Sequence, residues 1–263
     1  MKSKFYLLFV VGLMVSKIGL GHTDSLKFIK YTKIIIGGFI PTETEITYNT
    51  TGKIIENYKI PGVSAGVFFD FERKNFLYSI GINHRKHTTG YQFIIKKEDL
   101  EGFYTADFDI DGKATDYFYG IWSIPVKFSY QTKFNKANQR FWINIGAEIN
   151  SIVSGELRTG FGISDANLVS REIVRLNTVS NTKNSNALIY PTINSGIGMS
   201  NKLRNGDLLN FGFLINVSNQ NIIKGIYTVN LKDRVSTGNY RDSGTYIGFN
   251  MGYSFKKNKI KYK

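Results

Sequence analysis

The chain of 263 residues has no cysteine, three histidines and four prolines. The missing cysteine excludes a disulfide framework, a thiolate zinc site, a catalytic thiol and a lipid-modified cysteine. His22, His84 and His87 are all the imidazole available for metal or triad chemistry. Long apolar runs are also missing. Beyond the N-terminus nothing approaches the ~18 residues of a spanning helix, so none is expected in the mature chain. Helical periodicity is scarce, and residues 165–176 carry its best, short instance. The net charge is +14. The cations are scattered through turns and a terminal tail, so no nucleic-acid partner is expected.

What is present is glycine (26), tyrosine (16) and phenylalanine (20), too aromatic a mix for a disordered polybasic chain. Residues 1–21 read as a cleaved secretory signal. Lys2 and Lys4 precede the apolar run from Phe5 to Val15, and Gly19-Leu20-Gly21 supplies small residues before a cut at His22. That run is too short for the ~20 residues of a membrane span.

The body alternates with period 2, the signature of strands with two unlike faces. At 245–255, Ile247, Phe249, Met251, Tyr253 and Phe255 oppose Gly248, Asn250, Gly252 and Ser254. At 141–149, Phe141, Ile143, Ile145 and Ala147 oppose Trp142, Asn144, Gly146 and Glu148. Similar stretches predict eight strands at 33–48, 61–71, 76–95, 119–132, 140–153, 189–200, 208–218 and 244–255. Their connections run long, short, long, short, long, short, long, as in an outer-membrane barrel with short periplasmic turns and long outward loops. An even strand number lets the first and last pair and removes sheet edges.

The expected fold is therefore all-β: an eight-stranded antiparallel up-and-down transmembrane β-barrel, residues 33–255, with its apolar face outward. A short periplasmic segment (22–32) precedes it and a basic periplasmic tail (256–263) follows. Small and polar residues suit the tight lumen of eight strands. Phe141, Trp142, Tyr253 and Phe255 at strand ends suit an aromatic girdle. The alternative is a secreted soluble barrel with the aromatics inside, resembling a ligand-binding lipocalin.

The run Gly62-Val63-Ser64-Ala65-Gly66-Val67-Phe68-Phe69 resembles an early strand of the PorT-like outer-membrane β-barrel family. Ile124-Pro125-Val126-Lys127-Phe128 followed by Phe141–Glu148 is similar to its central strand pair, and Gly196-Ile197-Gly198 to a later glycine-rich strand. Gly248–Phe255 is similar to a terminal barrel strand, although barrel chains commonly stop at that aromatic and this one continues with eight residues, five of them lysine. The resemblance covers about 60–255. It implies an integral outer-membrane protein, some of whose relatives take part in protein secretion, and it carries over no functional residues.

Candidate chemistry is sparse. Asp107, Asp109, Asp111 and Gly112 have the opening spacing of a calcium loop, but the closing position is Phe118, with Asp116 the nearest acid. His84, Arg85, Lys86 and His87 read as a basic strand end facing lipopolysaccharide phosphates. Two histidines three apart lie on opposite strand faces, which disfavours a metal site. A barrel-embedded lipid hydrolase would need a serine, a histidine and an acid to converge. Ser79 and His84 differ in parity, the direction of Ser123 and Ser129 is open, and no Gly-x-Ser-x-Gly elbow occurs. Pro125 lacks a ladder donor, so a bulge or rim position is expected. No catalytic, cofactor or metal residue is assigned. The expected surroundings are outer-membrane lipid and lipopolysaccharide, with envelope or secretion proteins as partners. The expected role is structural, surface-interacting or secretion-accessory, not an open porin or an enzyme.

Overall fold

The computed structural model describes residues 28–49, 54–96, 110–152, 157–163, 174–180, 188–231 and 235–257. The proposed signal, residues 1–21, and most of the basic tail lie outside them. Among the described residues the chain forms fourteen strands, here β1 to β14. Eight make the barrel: β1 (Ile29–Pro41), β4 (Gly62–Arg73), β5 (Phe76–Ile95), β6 (Ile110–Gln131), β7 (Gln139–Ile152), β10 (Leu188–Lys202), β11 (Leu208–Val217) and β14 (Tyr246–Lys256). Each pairs antiparallel with its neighbour in that order. β14 closes on β1, with Ile36 opposite Met251, so the barrel has no sheet edge.

The alternation does what the sequence suggests. Val67, Ile143, Ile145, Phe249 and Met251 all point away from the barrel, each 39 to 59 % exposed. Phe213 and Ile193 reach 64 and 62 %. A soluble barrel would bury this face, so the apolar band is the outside of a transmembrane barrel. At the short-turn end the band finishes in aromatic contacts, Phe76 with Phe128 and Tyr130 and Tyr253 with Phe255.

Several expectations need correction. The stretch 33–48 is not one strand. β1 starts earlier, at Ile29, and stops at Pro41; the chain then turns into β2 (Thr44–Tyr48), which belongs to a different sheet. β6 starts at Ile110, not 119. The long connections are not plain loops. They carry β3 (Ile55–Lys59), β8 (Leu157–Ile163), β9 (Val174–Ser180) and the hairpin of β12 (Ile223–Asn230) with β13 (Val235–Asp242). The start of β9 falls in the suggested helical stretch and is extended. Pro125 sits neither at a rim nor in a bulge. It is buried on the lumen side of mid-β6, and the β5–β6 ladder steps from Ile80↔Val126 to Asn83↔Ser123 past its missing donor.

β5 and β6 have 20 and 22 residues, about twice the ~9–11 that cross a bilayer. Their outer halves pair onward as a hairpin beyond the barrel, with β3 beside β5 and β8 beside β6. A second sheet, ordered β2-β13-β12-β9, lies at the same long-loop end.

Candidate functional site: the filled lumen and the capped mouth

The lumen is built from the polar halves of the same alternation. Its centre is Arg85 of β5, fully buried. The guanidinium donates to Asn150 Oδ1 (2.9 Å), Ser123 Oγ (3.2 Å) and the Tyr190 hydroxyl (2.9 Å). It lies 3.5 Å from Glu148 Oε2 and 5.1 Å from the centre of the Tyr246 ring. Glu148 in turn accepts from Asn194 (3.1 Å) and Asn216 (3.3 Å), while Thr192 Oγ1 accepts from Asn150 and Asn216. Six strands are thereby tied together across the barrel. A charge in such a place persists only when paired and hydrogen-bonded.

Two further ion pairs lie toward the short turns. Lys33 meets Asp70 at 2.7 Å, and Arg140 grips both carboxylate oxygens of Glu72 at 2.7 and 2.9 Å. Phe68 lies between the ammonium groups of Lys33 and Lys127. Trp142 was expected beside Phe141 in the girdle. Instead its ring turns inward over Gly198 and Gly212, where any Cβ would collide with it. Phe134, from the turn after β6, covers this end beneath Arg140 and Lys202. Among the described residues a cavity of about 50 Å³ is edged by Ser79, Lys127, Asn144 and Asn250, room for a water or two.

The long-loop mouth is closed differently. Ile222, Ile223, Tyr227, Val229, Leu231 and Tyr240 of the β12–β13 hairpin pack on Ile55, Tyr91, Ile95, Ile121, Ile152 and Tyr190. Tyr91 and Tyr240 meet with ring centres 4.6 Å apart. The hairpin pairs Gly225 with Tyr240 and Tyr227 with Gly238, so each tyrosine ring lies over the glycine opposite. Asp242 fastens the hairpin to β5. Its carboxylate takes His87 Nε2 at 2.8 Å, the Thr89 hydroxyl and the Gly244 amide at 2.7 Å. Burial pushes the Asp242 carboxyl up, but His87 first and then these hydrogen bonds outweigh it and hold the group below the usual carboxylate range.

The basic strand end is therefore split. Arg85 and His87 face inward, not toward lipopolysaccharide. Between them the β5–β6 register shifts, with Tyr119 and Gly120 opposite Lys86. The extra residue lies on β6, so β5 keeps its alternation and His87, two residues on from Arg85, faces inward with it. His84 lies on the outer face against Trp122, ring centres 4.6 Å apart. Ser79 is buried in the lumen, away from His84, and Ser123 is held by Arg85 and Asn150. Asp107 and Asp109 lie outside the described residues, while Asp111, Gly112 and Asp116 are in extended β6 rather than a loop. Among the described residues no group of three or more His, Asp or Glu could hold a metal.

The two ends differ in charge. At the short turns, Arg73 and Lys74 stand on the first turn, Lys133 and Lys136 on the second, and Lys202 and Arg204 on the third. Lys30, Lys256 and Lys257 stand where β1 meets β14, and all nine are exposed. The acid beside them is Asp207, whose carboxylate accepts from the Lys256 amide and the Tyr253 hydroxyl; these bonds hold its pKa below the ordinary value. At the long-loop end, the exposed described side chains comprise five cations, Lys59, Lys86, Lys96, Lys224 and Arg241, and three acids, Glu43, Glu45 and Glu56.

No protein-family model and no curated protein matches the sequence. Similar solved structures include Neisserial surface protein A, at 11 % identity and TM-score 0.37, covering 84 % of this chain and 95 % of that one. The N-terminal β-barrel domain of Pseudomonas aeruginosa OprF aligns at 8 % identity and TM-score 0.30, covering 87 % and 100 %. Ail, the attachment invasion locus protein of Yersinia pestis, aligns at 14 % and 0.23, covering 86 % and 99 %. With scores this low, the barrel assignment rests on the chain's own strand order and closure.

Proposed function

We propose that this chain is an integral outer-membrane protein that works through its sheet-capped outer mouth and not through a pore. The observation that carries the reading is the combination of an outward apolar band with a lumen filled by paired charges and closed by the cap. A barrel spends no side-chain volume on a channel here, so recognition falls to the surface that the long connections build. That surface is the outward face of the second sheet, where Lys224, Ile226, Asn239 and Arg241 are exposed and Arg241 pairs with Glu45. It suits contact with lipopolysaccharide or with another envelope protein, including a secretion component as the family resemblance implies. The localisation follows from the same reading, with the long-loop end outward and export through residues 1–21.

The test is membrane fractionation of the intact chain with gel mobility before and after boiling, followed by conductance in a planar bilayer. The expected result is an outer-membrane protein whose migration changes on boiling and which gives no stable conductance steps. A soluble periplasmic protein, or a steady open channel, would contradict it.

A further inference from the structure

On the outer wall near the short turns a groove of about 530 Å³ opens between the aromatics of the girdle. Phe141, Ile143, Met199, Phe211 and Phe213 line it, with Gly198 and Gly212 between them and Trp142 behind. The outward side chains of β7, β10 and β11 form its walls, and the backbone at Gly198 and Gly212, where a side chain would point inward onto Trp142, forms its floor. Its turn end is Thr132, whose hydroxyl and amide bond to Phe141. Lys133 follows Thr132 directly. The turn bearing Lys133 and Lys136 is joined to the one bearing Arg204 by the hydrogen bond from the Lys202 amide to the Asn138 carbonyl, 2.8 Å. No ion pair among the described residues engages Lys133, Lys136 or Arg204.

From this juxtaposition we infer that the groove and its basic turns form a binding site for an anionic phospholipid of the leaflet at the short-turn end. An acyl chain lies in the groove and the headgroup phosphate sits against Lys133, Lys136 and Arg204. The inference rests on the reading of the barrel as membrane-embedded. Three observations select this occupant. The groove is apolar and faces lipid. The cations begin one residue beyond its end, at headgroup level above the girdle. Among the described exposed residues the cation excess is larger at this end, nine cations beside Asp207, than at the other, five cations with three acids. Juxtamembrane lysines and arginines attract anionic headgroups in this way, and the groove adds a position where one lipid is held.

The chain has two tryptophans, Trp142 at the groove and Trp122 on the outer face at the opposite end, which gives a local readout. In the W122F variant, inserted into phosphatidylcholine vesicles, Trp142 fluorescence is measured while mid-chain-brominated phosphatidylglycerol or brominated phosphatidylcholine is added at equal mole fraction. The site predicts a relative association about fivefold or more in favour of phosphatidylglycerol, the ratio that ~1 kcal/mol of headgroup attraction gives. Lys133→Gln, Lys136→Gln and Arg204→Gln together bring the ratio close to one, and in W142F the remaining Trp122 reports no such preference. Insertion is checked by the change in gel mobility on boiling. Equal quenching by the two lipids in an inserted chain overturns the inference alone, as does a preference that survives the triple substitution or appears equally at Trp122. A chain that never inserts overturns the membrane reading as well.

Discussion

Along β1, Ile34, Ile36 and Ile40 face away from the barrel; beyond Pro41, in β2, Ile46 and Tyr48 have the same parity and turn inward against the cap core. The barrel and the cap use one period-2 code with opposite solvents. In the barrel, lipid is outside and the charges are inside, paired across a narrow lumen. In the cap, water is outside, Lys224 and Arg241 face it, and Ile223, Tyr227, Val229 and Tyr240 are enclosed. The change of hand happens at the rim, where Arg85 ends the polar lumen and Tyr91 begins the apolar core. His87 and Asp242 mark the seam.

This contrast can be broken from either side. The largest effect is expected in the lumen. Arg85→Met leaves Glu148 buried without its cation and should cost about 3–5 kcal/mol, measured by urea unfolding of the chain in lipid vesicles. In the cap, Tyr240→Ala removes a buried ring from Tyr91 and Gly225. It should cost about 3 kcal/mol and open the β12–β13 hairpin to protease, while the mobility change on boiling survives. The two regions should also answer a charge differently. Ile145→Arg on the lipid face should cost about 2–4 kcal/mol, whereas Ile226→Arg on the outward face of the cap should stay within about 0.5 kcal/mol. The smallest effect is one of pH. Asp242 has a lowered pKa in the folded chain, so its latch contributes fully above the ordinary carboxylate value of 3.8 and is lost as pH falls through the folded value. Hydrogen exchange at β13 should rise below about pH 4 in the natural chain, and Asp242→Asn should show less of that acid dependence.

The eight barrel strands were legible because lipid on one side and a tight lumen on the other impose strict alternation. The strand boundaries at the rim were not. Nothing in Thr44–Tyr48 marks that its apolar residues face a core and not lipid, since Ile46 and Tyr48 continue the rhythm of Ile34 and Ile36. The hairpin at 223–242 alternates too, with Ile223, Tyr227 and Val229 buried, but its short strands lie inside a connection. Reading it as strand required treating glycine at 225 and 238 as a seat for tyrosine. Arg85 could have been placed inside by parity alone, since Ile80, Ile82 and His84 occupy the outer phase. The same parity puts His87 inside, but not its partner: Asp242 comes from a hairpin 155 residues further on. The ion pairs lay beyond reach for another reason: Glu72 and Arg140, or Arg85 and Glu148, are joined by closure of the barrel across more than sixty residues.

The absence of native cysteine makes the central claim directly measurable. A single cysteine at Phe213 and, separately, one at Asn216 on the neighbouring lumen phase of β11 can each carry a nitroxide label in the vesicle-inserted chain. The label at 213 should be relaxed by oxygen, which concentrates in lipid, and little by a water-soluble nickel chelate. The label at 216 should be shielded from both. A label at 213 that the nickel chelate reaches freely would contradict a barrel whose apolar face meets the membrane.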